Sequence, residues 1–187
     1  GVIMKKLYKY LLDAVVVSTV LACSACASMP VADPAVEGDQ PETLEKITIP
    51  ASIFEFANSD IEDNFEEFSD YCYSVERDGN DLILGVTPPQ KEELIEMYAA
   101  SIDDVLETMT EEEPGYYVET DKDHSRFVYH YDEKIDNVLQ ARMLLTITTS
   151  DGLIGILETK DPNWNVQARI VNCHTGLAVG ETTFPQG

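Results

Sequence analysis

From residue 46 onward, apolar and polar residues alternate in short runs, which is the two-residue period of β-strands with one buried face. Turn-forming residues separate the runs, as at 77–80, where Gly79 and Asn80 tolerate positive φ. Pro50 interrupts the first run and indicates an edge strand or the end of a strand. The pattern predicts strands at 47–53, 71–75, 82–86, 116–120, 126–131, 164–170 and 177–184.

Two other segments carry the signals of helices. Thr87 and Gln90 form a capping box, after which apolar residues recur every three to four positions as far as Met109. Ser59 and Glu62 form a second capping box, which predicts the start of a short helix.

The segment 136–157 fits two different structures. Its apolar residues from Leu139 to Ile147 lie at helical spacing, whereas 146–149 followed by Ser150-Asp151-Gly152 would fit a hairpin. Helices and hairpins are interspersed along the chain in either case. This order predicts an α+β fold with a mainly antiparallel sheet built from hairpins and two or three helices packed on one face.

Residues 1–22 have the layout of a bacterial lipoprotein signal peptide. Basic residues precede an apolar run at 14–22, which is shorter than the roughly 20 apolar residues that cross a bilayer. The run ends at Cys23, which we predict to be the lipid-attachment residue. Cys26 is a second candidate for the lipid, and a plain secretory signal cut nearby is the main alternative.

A change of composition divides the rest of the chain. Residues 23–45 contain three prolines, several acids and almost no large apolar residue, so they predict a flexible linker. A single globular domain is then expected at 46–187. The layout predicts a domain anchored by lipid to the cell membrane on its extracytoplasmic face.

The charge of the chain restricts its partners. It has 12 basic and 35 acidic residues and a formal net charge of −23. Loss of the signal would remove three lysines and Asp13, leaving 9 basic and 34 acidic residues and a net charge of −25. Nucleic acid and anionic lipid headgroups are excluded as partners, because binding them requires Lys and Arg. Such a charge favours solubility, or a cationic ligand such as Ca²⁺.

The cysteines suggest one disulfide. If Cys23 carries lipid, an odd number of thiols is left outside the cell, so one stays unpaired. Cys72 and Cys173 both lie in the predicted domain and are the candidate pair. Two buried, reduced thiols are the alternative.

One segment approaches the pattern of a calcium-binding loop. Asp121 and Asp123 occupy its first and third positions and Asp132 its twelfth. The sixth position is Arg126 rather than the required glycine, and the flanks are predicted strands rather than helices. We therefore interpret the segment as a hairpin turn and expect no bound metal.

Catalytic motifs are missing from the sequence. His124, His130 and His174 do not form a zinc-binding spacing such as His-x-x-x-His. Cys173 and His174 are adjacent, and adjacent side chains in an extended chain point apart, so they are not interpreted as a nucleophile pair. Neither a nucleophile elbow nor a phosphate-binding glycine loop is present. No catalytic residues and no cofactor are predicted.

The sequence resembles a family of small, uncharacterised lipoproteins from Gram-positive, largely gut-dwelling bacteria. The matching parts are the lipid signal, the strand at 47–53, the helix at 88–109 and the strand and turn at 170–176. The chain departs from the family at two places. The family has an aspartate where Asn172 or Cys173 stands here, and an acid after the turn glycine where Leu177 stands. The resemblance implies a helix at 136–157 and implies no enzymatic activity.

These observations favour a membrane-tethered, non-enzymatic domain that binds a protein, a peptide or a component of the cell envelope. An envelope hydrolase whose catalytic groups meet only in space is the first alternative. An acidic, Ca²⁺-binding surface protein is the second.

Overall fold

A computed structural model describes residues 43–112 and 115–185. The predicted signal peptide, Cys23, Cys26 and most of the predicted linker lie outside the described residues. The first strand begins at Glu45, at the end of that linker. In chain order the elements are β1 (Glu45–Ile49), α1 (Ala51–Ala57), α2 (Ile61–Tyr71), β2 (Ser74–Asp78), β3 (Asp81–Val86), α3 (Pro88–Glu112), β4 (Tyr117–Thr120), β5 (Arg126–Tyr131), α4 (Asn137–Thr159), β6 (Val166–Asn172) and β7 (Ala178–Phe184).

The predicted α+β class is confirmed. The described residues form four helices and two sheets, one of three strands and one of four. Strand pairing is antiparallel throughout except between β5 and β6, which are parallel. Among the described residues, no helix combines the length and the apolar character that crossing a bilayer requires.

The three-stranded sheet has the order β1-β3-β2. Its central strand alternates as predicted, with Leu82, Leu84 and Val86 fully buried. The β2–β3 hairpin turns at Gly79, whose φ of +65° favours glycine. The predicted strand at 71–75 begins later than expected, at Ser74, because α2 continues as far as Tyr71.

The first predicted strand is shorter than its alternation suggested. It ends at Ile49, and Pro50 separates it from α1, so the prediction of strand for Ala51 and Ile53 was wrong. Proline cannot donate a hydrogen bond to a strand neighbour, but its backbone suits the start of a helix. The N–H of Ala51 donates instead to the carboxylate of Asp81 at 2.7 Å.

One of the two predicted helix caps is confirmed and the other lies one residue further on. The Thr87 N–H donates to Oε1 of Gln90 at 3.0 Å, and the Gln90 N–H donates back to the Thr87 hydroxyl at 3.4 Å. The helix after Ser59 is capped by Asp60, whose carboxylate accepts the Glu62 N–H at 2.8 Å. Asp60 has the extended backbone that an N-cap residue needs.

The four-stranded sheet has the order β4-β5-β6-β7. Helix α4 connects β5 to β6, which is why these two strands run parallel. Arg126 pairs with Gln167 at one end of the two strands, and Tyr131 pairs with Asn172 at the other. Residues that follow β5 and β6 therefore meet at one edge of the sheet, and residues that precede them meet at the opposite edge.

The ambiguous segment at 136–157 is a helix, as the family resemblance implied. Asp136 caps α4 by accepting the N–H groups of Val138 and Leu139. The helix packs against α1, α3, β1 and β6, and it is buried on nearly all sides. From 147 to 157 no residue of the helix is exposed, which explains the weak periodicity of that part of its sequence, because apolar residues are needed on nearly every face.

Candidate functional site

Two histidine–aspartate pairs lie at opposite ends of the parallel strands β5 and β6. His124 precedes β5 and contacts Asp151 of α4. His174 follows β6 and contacts Asp132, which directly follows β5. Strands of this length span about 20 Å, so the two pairs are separate sites.

A tight turn between β4 and β5 holds His124 in place. The Asp121 carboxylate accepts the backbone N–H groups of Ser125 at 3.0 Å and Arg126 at 3.2 Å. It also accepts the Ser125 hydroxyl at 3.1 Å. His124 has a φ of +51°, in the left-handed region that residues other than glycine rarely adopt. The turn thereby brings the imidazole to α4, where Nδ1 lies 2.7 Å from Oδ1 of Asp151.

Asp151 is an ionisable residue in the middle of an apolar helix. It is fully buried, and its Oδ2 makes no hydrogen bond with any residue that the structure describes. Burial raises the pKa of Asp151 to about 6, although the hydrogen bond from His124 acts to lower it. The carboxyl group therefore gains or loses its proton close to neutral pH.

The His124–Asp151 pair lines a cavity of about 210 Å³, which we call the His124 cavity. Two exposed acids stand near its mouth, and one large aromatic ring forms a wall. The lining residues that bear on its chemistry are Asp123, His124, Asp151, Gly152, Asp161 and Trp164. The cavity thus combines negative charge with an aromatic surface.

The wall of the His124 cavity is fixed by contacts of Trp164. Its Nε1 donates to the Ser52 hydroxyl at 3.0 Å, and its ring packs edge-on against Phe56 with centroids 5.5 Å apart. Gly152 of α4 makes room for the indole, because a Cβ there would lie 2.7 Å from Cε3 of the ring. The shape of the cavity depends on this glycine.

At the other end of the strands, Asp132, Cys173 and His174 form a compact group, which we call the Asp132 cluster. One donor atom from each residue lies within 4.8 Å of the other two. Oδ2 of Asp132 is 2.9 Å from Nε2 of His174, and Oδ1 accepts the Lys134 N–H at 2.8 Å. Asp132 is fully buried, whereas the His174 side chain is 38% exposed.

The pKa of Asp132 is shifted in the direction opposite to that of Asp151. Burial on its own would raise the pKa of Asp132, but the Lys134 N–H and the His174 imidazole favour the ionised form. Together they hold the pKa of Asp132 below its ordinary value.

The three aspartates that suggested a calcium loop do not converge. Asp121 and Asp123 belong to the turn before β5, and Asp132 follows the same strand at its far end. Asp121 uses its carboxylate to hold the turn. The interpretation as a hairpin turn rather than a calcium site agrees with this arrangement.

The candidate disulfide between Cys72 and Cys173 is absent from the structure. Cys72 and Cys173 are both thiols in the structure. Cys72 caps the C-terminus of α2 and lies close to Tyr98 of α3. Cys173 follows β6 and lies close to Tyr129 of β5, in the four-stranded sheet. The two side chains therefore belong to different neighbourhoods. Burial raises the pKa of the Cys72 thiol to about 11, so this thiol is inert at neutral pH.

Cys173 and His174 lie nearer each other than an extended chain would allow, although the 4.8 Å within which their donor atoms lie is beyond the reach of a hydrogen bond. The two residues lie in a turn rather than in an extended strand, and the turn keeps their side chains near each other. Asp151 was missed altogether. The one available signal was that Asp151 is the single acid in the mostly apolar segment 137–157, which is unusual for a buried helix.

Comparison of the chain with protein-family models, with curated proteins and with solved structures finds no match.

Proposed function

We propose that this chain is a lipid-anchored domain on the extracytoplasmic face of the cell membrane that binds a ligand without transforming it. The lipoprotein signal ending at Cys23 and the acidic, proline-containing linker support the anchor. The folded domain beginning at Glu45 would stand clear of the membrane on that linker. This proposal agrees with the resemblance of the sequence to small Gram-positive lipoproteins.

The ligand site we propose is the His124 cavity, and Asp151 is the observation that carries the proposal. A fully buried carboxylate with one unpartnered oxygen is costly unless a positive charge or a donor approaches it. Asp123 and Asp161 add negative charge at the mouth, and Trp164 offers a ring to a cation. These features favour a ligand that carries a protonated amine.

The size of the His124 cavity limits that ligand. Its volume of about 210 Å³ corresponds to roughly seven water molecules at the density of the liquid. A short alkylammonium group fits this space, whereas a folded partner would only reach the mouth. We therefore assign the cavity to the amine-bearing end of a ligand.

A hydrolase is the second candidate, because His124 and Asp151 resemble the base and the orienting carboxylate of a catalytic triad. Such a triad also needs a nucleophile that donates to the imidazole. The nearby Ser125 hydroxyl donates instead to the Asp121 carboxylate at 3.1 Å. This arrangement favours binding over catalysis.

The ligand proposal is tested by thermal unfolding of the full chain with butylammonium chloride, and with butanol as the neutral control. We expect a saturable rise of about 2–4 °C with the amine, equivalent to about 1 kcal/mol, and no saturable rise with butanol. Asp151→Asn should abolish the rise, whereas Asp132→Asn, at the other buried carboxylate, should retain it. Equal responses to amine and alcohol would contradict the assignment of the cavity.

The anchor is tested separately by the intact mass of the native mature protein extracted from bacterial membranes. We expect a chain that starts at Cys23 and carries a diacylglyceryl group. An unmodified chain that starts elsewhere would make this a freely secreted domain and would remove the anchor from the proposal.

A further inference from the structure

We propose that the Asp132 cluster is a binding site for a transition-metal ion of the Zn²⁺ class, held by Asp132, Cys173 and His174 with one coordination position open. This site is independent of the His124 cavity. It lies at the other end of β5 and β6 and involves none of the same residues.

Topology brings the three residues together. Asp132 directly follows β5, and Cys173 and His174 directly follow β6. Because these strands are parallel, their carboxyl ends lie at one edge of the sheet, which is a common position for ligand sites in parallel sheets. The Cys173 N–H donates to the Tyr131 carbonyl at 3.0 Å and joins the two strand ends directly.

The separations of the donor atoms suit coordination. Oxygen, sulfur and nitrogen atoms of the three side chains all lie within 4.8 Å of one another, and the Asp132–His174 pair is at 2.9 Å. Zinc ligands at about 2.0–2.3 Å in a tetrahedron are roughly 3.5 Å apart. Small side-chain rotations therefore suffice to place a metal ion between the three atoms, where it would displace two protons to solvent, the one between Asp132 and His174 and the one on the Cys173 thiol.

The chemistry of the donors selects the kind of ion. A thiolate, an imidazole and a carboxylate are the ligands of Zn²⁺ and related ions, whereas Ca²⁺ and Mg²⁺ take oxygen ligands. Three protein ligands leave a fourth tetrahedral position for water or another small ligand. His174 is 38% exposed and Cys173 is half-buried, so both solvent and metal can reach the site.

The surroundings hold the ligands before any metal arrives. The Asn172 side chain accepts the N–H groups of His174 and Thr175, both at 3.0 Å, and so fixes the turn that carries Cys173 and His174. The Lys134 N–H orients the Asp132 carboxylate at 2.8 Å. Such supporting hydrogen bonds are a regular feature of metal sites, where they set the orientation of the ligands.

Cobalt(II) is the probe that tests this site, because a Co²⁺–thiolate bond gives a charge-transfer band that Zn²⁺ does not. The experiment uses the full chain, reduced and stripped of metal, with Cys23→Ser and Cys26→Ser so that the two N-terminal thiols do not compete. We expect one Co²⁺ per chain, a thiolate band and the spectrum of tetrahedral Co²⁺. Zn²⁺ should displace the cobalt, and Ca²⁺ should not.

Variants in the same background assign the ligands. We expect Cys173→Ser to abolish the thiolate band. His174→Gln should weaken Co²⁺ binding by about 100-fold or more, since loss of a supporting residue alone typically costs 10–100-fold. Cys72→Ser and His130→Gln are the matched controls, one at the other described cysteine and one at a histidine that contacts Glu119 outside both sites, and both should bind as the parent does.

Circular dichroism of each variant separates lost binding from lost structure, and the partly exposed His174 can be replaced with little risk to the fold. The proposal is overturned if the parent gives no thiolate band, or if Cys173→Ser gives the same band as the parent.

Discussion

The two histidine–aspartate pairs use the same two residue types, and neither carboxylate is exposed to solvent, yet the pKa values of the two carboxyl groups shift in opposite directions. Asp132 has a lowered pKa, and Asp151 has a pKa raised to about 6. The difference lies in the depth of burial, which dominates at Asp151, and in the other donors. Asp132 also accepts the Lys134 N–H, whereas one oxygen of Asp151 has no partner among the described residues. A histidine alone does not hold the pKa of a deeply buried carboxyl group at its ordinary value.

The position of each aspartate in the fold explains that difference. Asp132 stands at the end of a strand, where the chain turns and nearby N–H groups are available to a side chain. Asp151 stands in the middle of α4, where each N–H group is committed to the helix. A buried carboxylate in a helix must therefore find its partners from other elements or from a ligand.

The largest expected difference between the pairs comes from removing each histidine. His124→Ala should lower the free energy of unfolding by about 2–4 kcal/mol near pH 7, because it leaves a buried carboxylate without its one described partner. His174→Ala should cost about 1 kcal/mol, since Asp132 keeps the Lys134 N–H and the site is partly open to water. Urea unfolding measures both. Equal losses of unfolding free energy in the two variants would contradict the proposed difference between the two pairs.

The pH dependence of stability should differ in sign between the two aspartates. The pKa of Asp151 is about 3.8 in the unfolded chain and about 6 in the folded domain. Asp151 therefore contributes fully to stability at pH values below 3.8, and this contribution is lost as pH rises through about 6. Asp151→Asn should therefore gain stability relative to the parent as pH rises, by about 2 kcal/mol between pH 4 and 7. Asp132 has a lowered pKa, so its contribution is lost on acidification.

Unfolding curves recorded across this pH range check the prediction. Asp132→Asn is the matched variant, and it should lose stability relative to the parent as pH rises. Parallel curves for the two variants would show that the carboxylates do not differ.

The smallest expected effects come from two glycines on α4 that line the His124 cavity. Gly152→Ala should destabilise the domain by about 1 kcal/mol net, because the added methyl would meet the Trp164 ring at 2.7 Å. Gly155→Ala meets nothing within 4 Å and should stabilise the domain by up to about 1 kcal/mol through helix propensity. Thermal unfolding of both variants measures the difference, and equal shifts would mean that Trp164 is not held against α4.

Local features of the fold could be predicted from the sequence, and the sites could not. The alternation of β3 and β5 and the cap at Thr87 depend on neighbouring residues, so they were identified correctly. The contact between His124 and Asp151 joins residues 27 positions apart, and that between Asp132 and His174 joins residues 42 apart. The first depends on how α4 packs against the turn before β5, and the second on the parallel pairing of β5 with β6.

That parallel pairing required α4 to be a helix, and the sequence of α4 was the most ambiguous part of the domain. The second half of α4 is buried on nearly every face, so it lacks the periodicity by which helices are identified. The local pattern also failed at Pro50, where alternation continued from β1 into α1 although the secondary structure changed.

The central claim is that two carboxylates shielded from solvent differ because Asp151 lies deeper in the fold and has fewer hydrogen-bond donors than Asp132. The most direct test is a pH titration of the carboxyl ¹³C chemical shifts of Asp132 and Asp151 by NMR, recorded with a chelator present. We expect the Asp151 midpoint at about 6 and the Asp132 midpoint below its ordinary value of 3.8. Coincident midpoints for the two carboxyl groups would contradict the account.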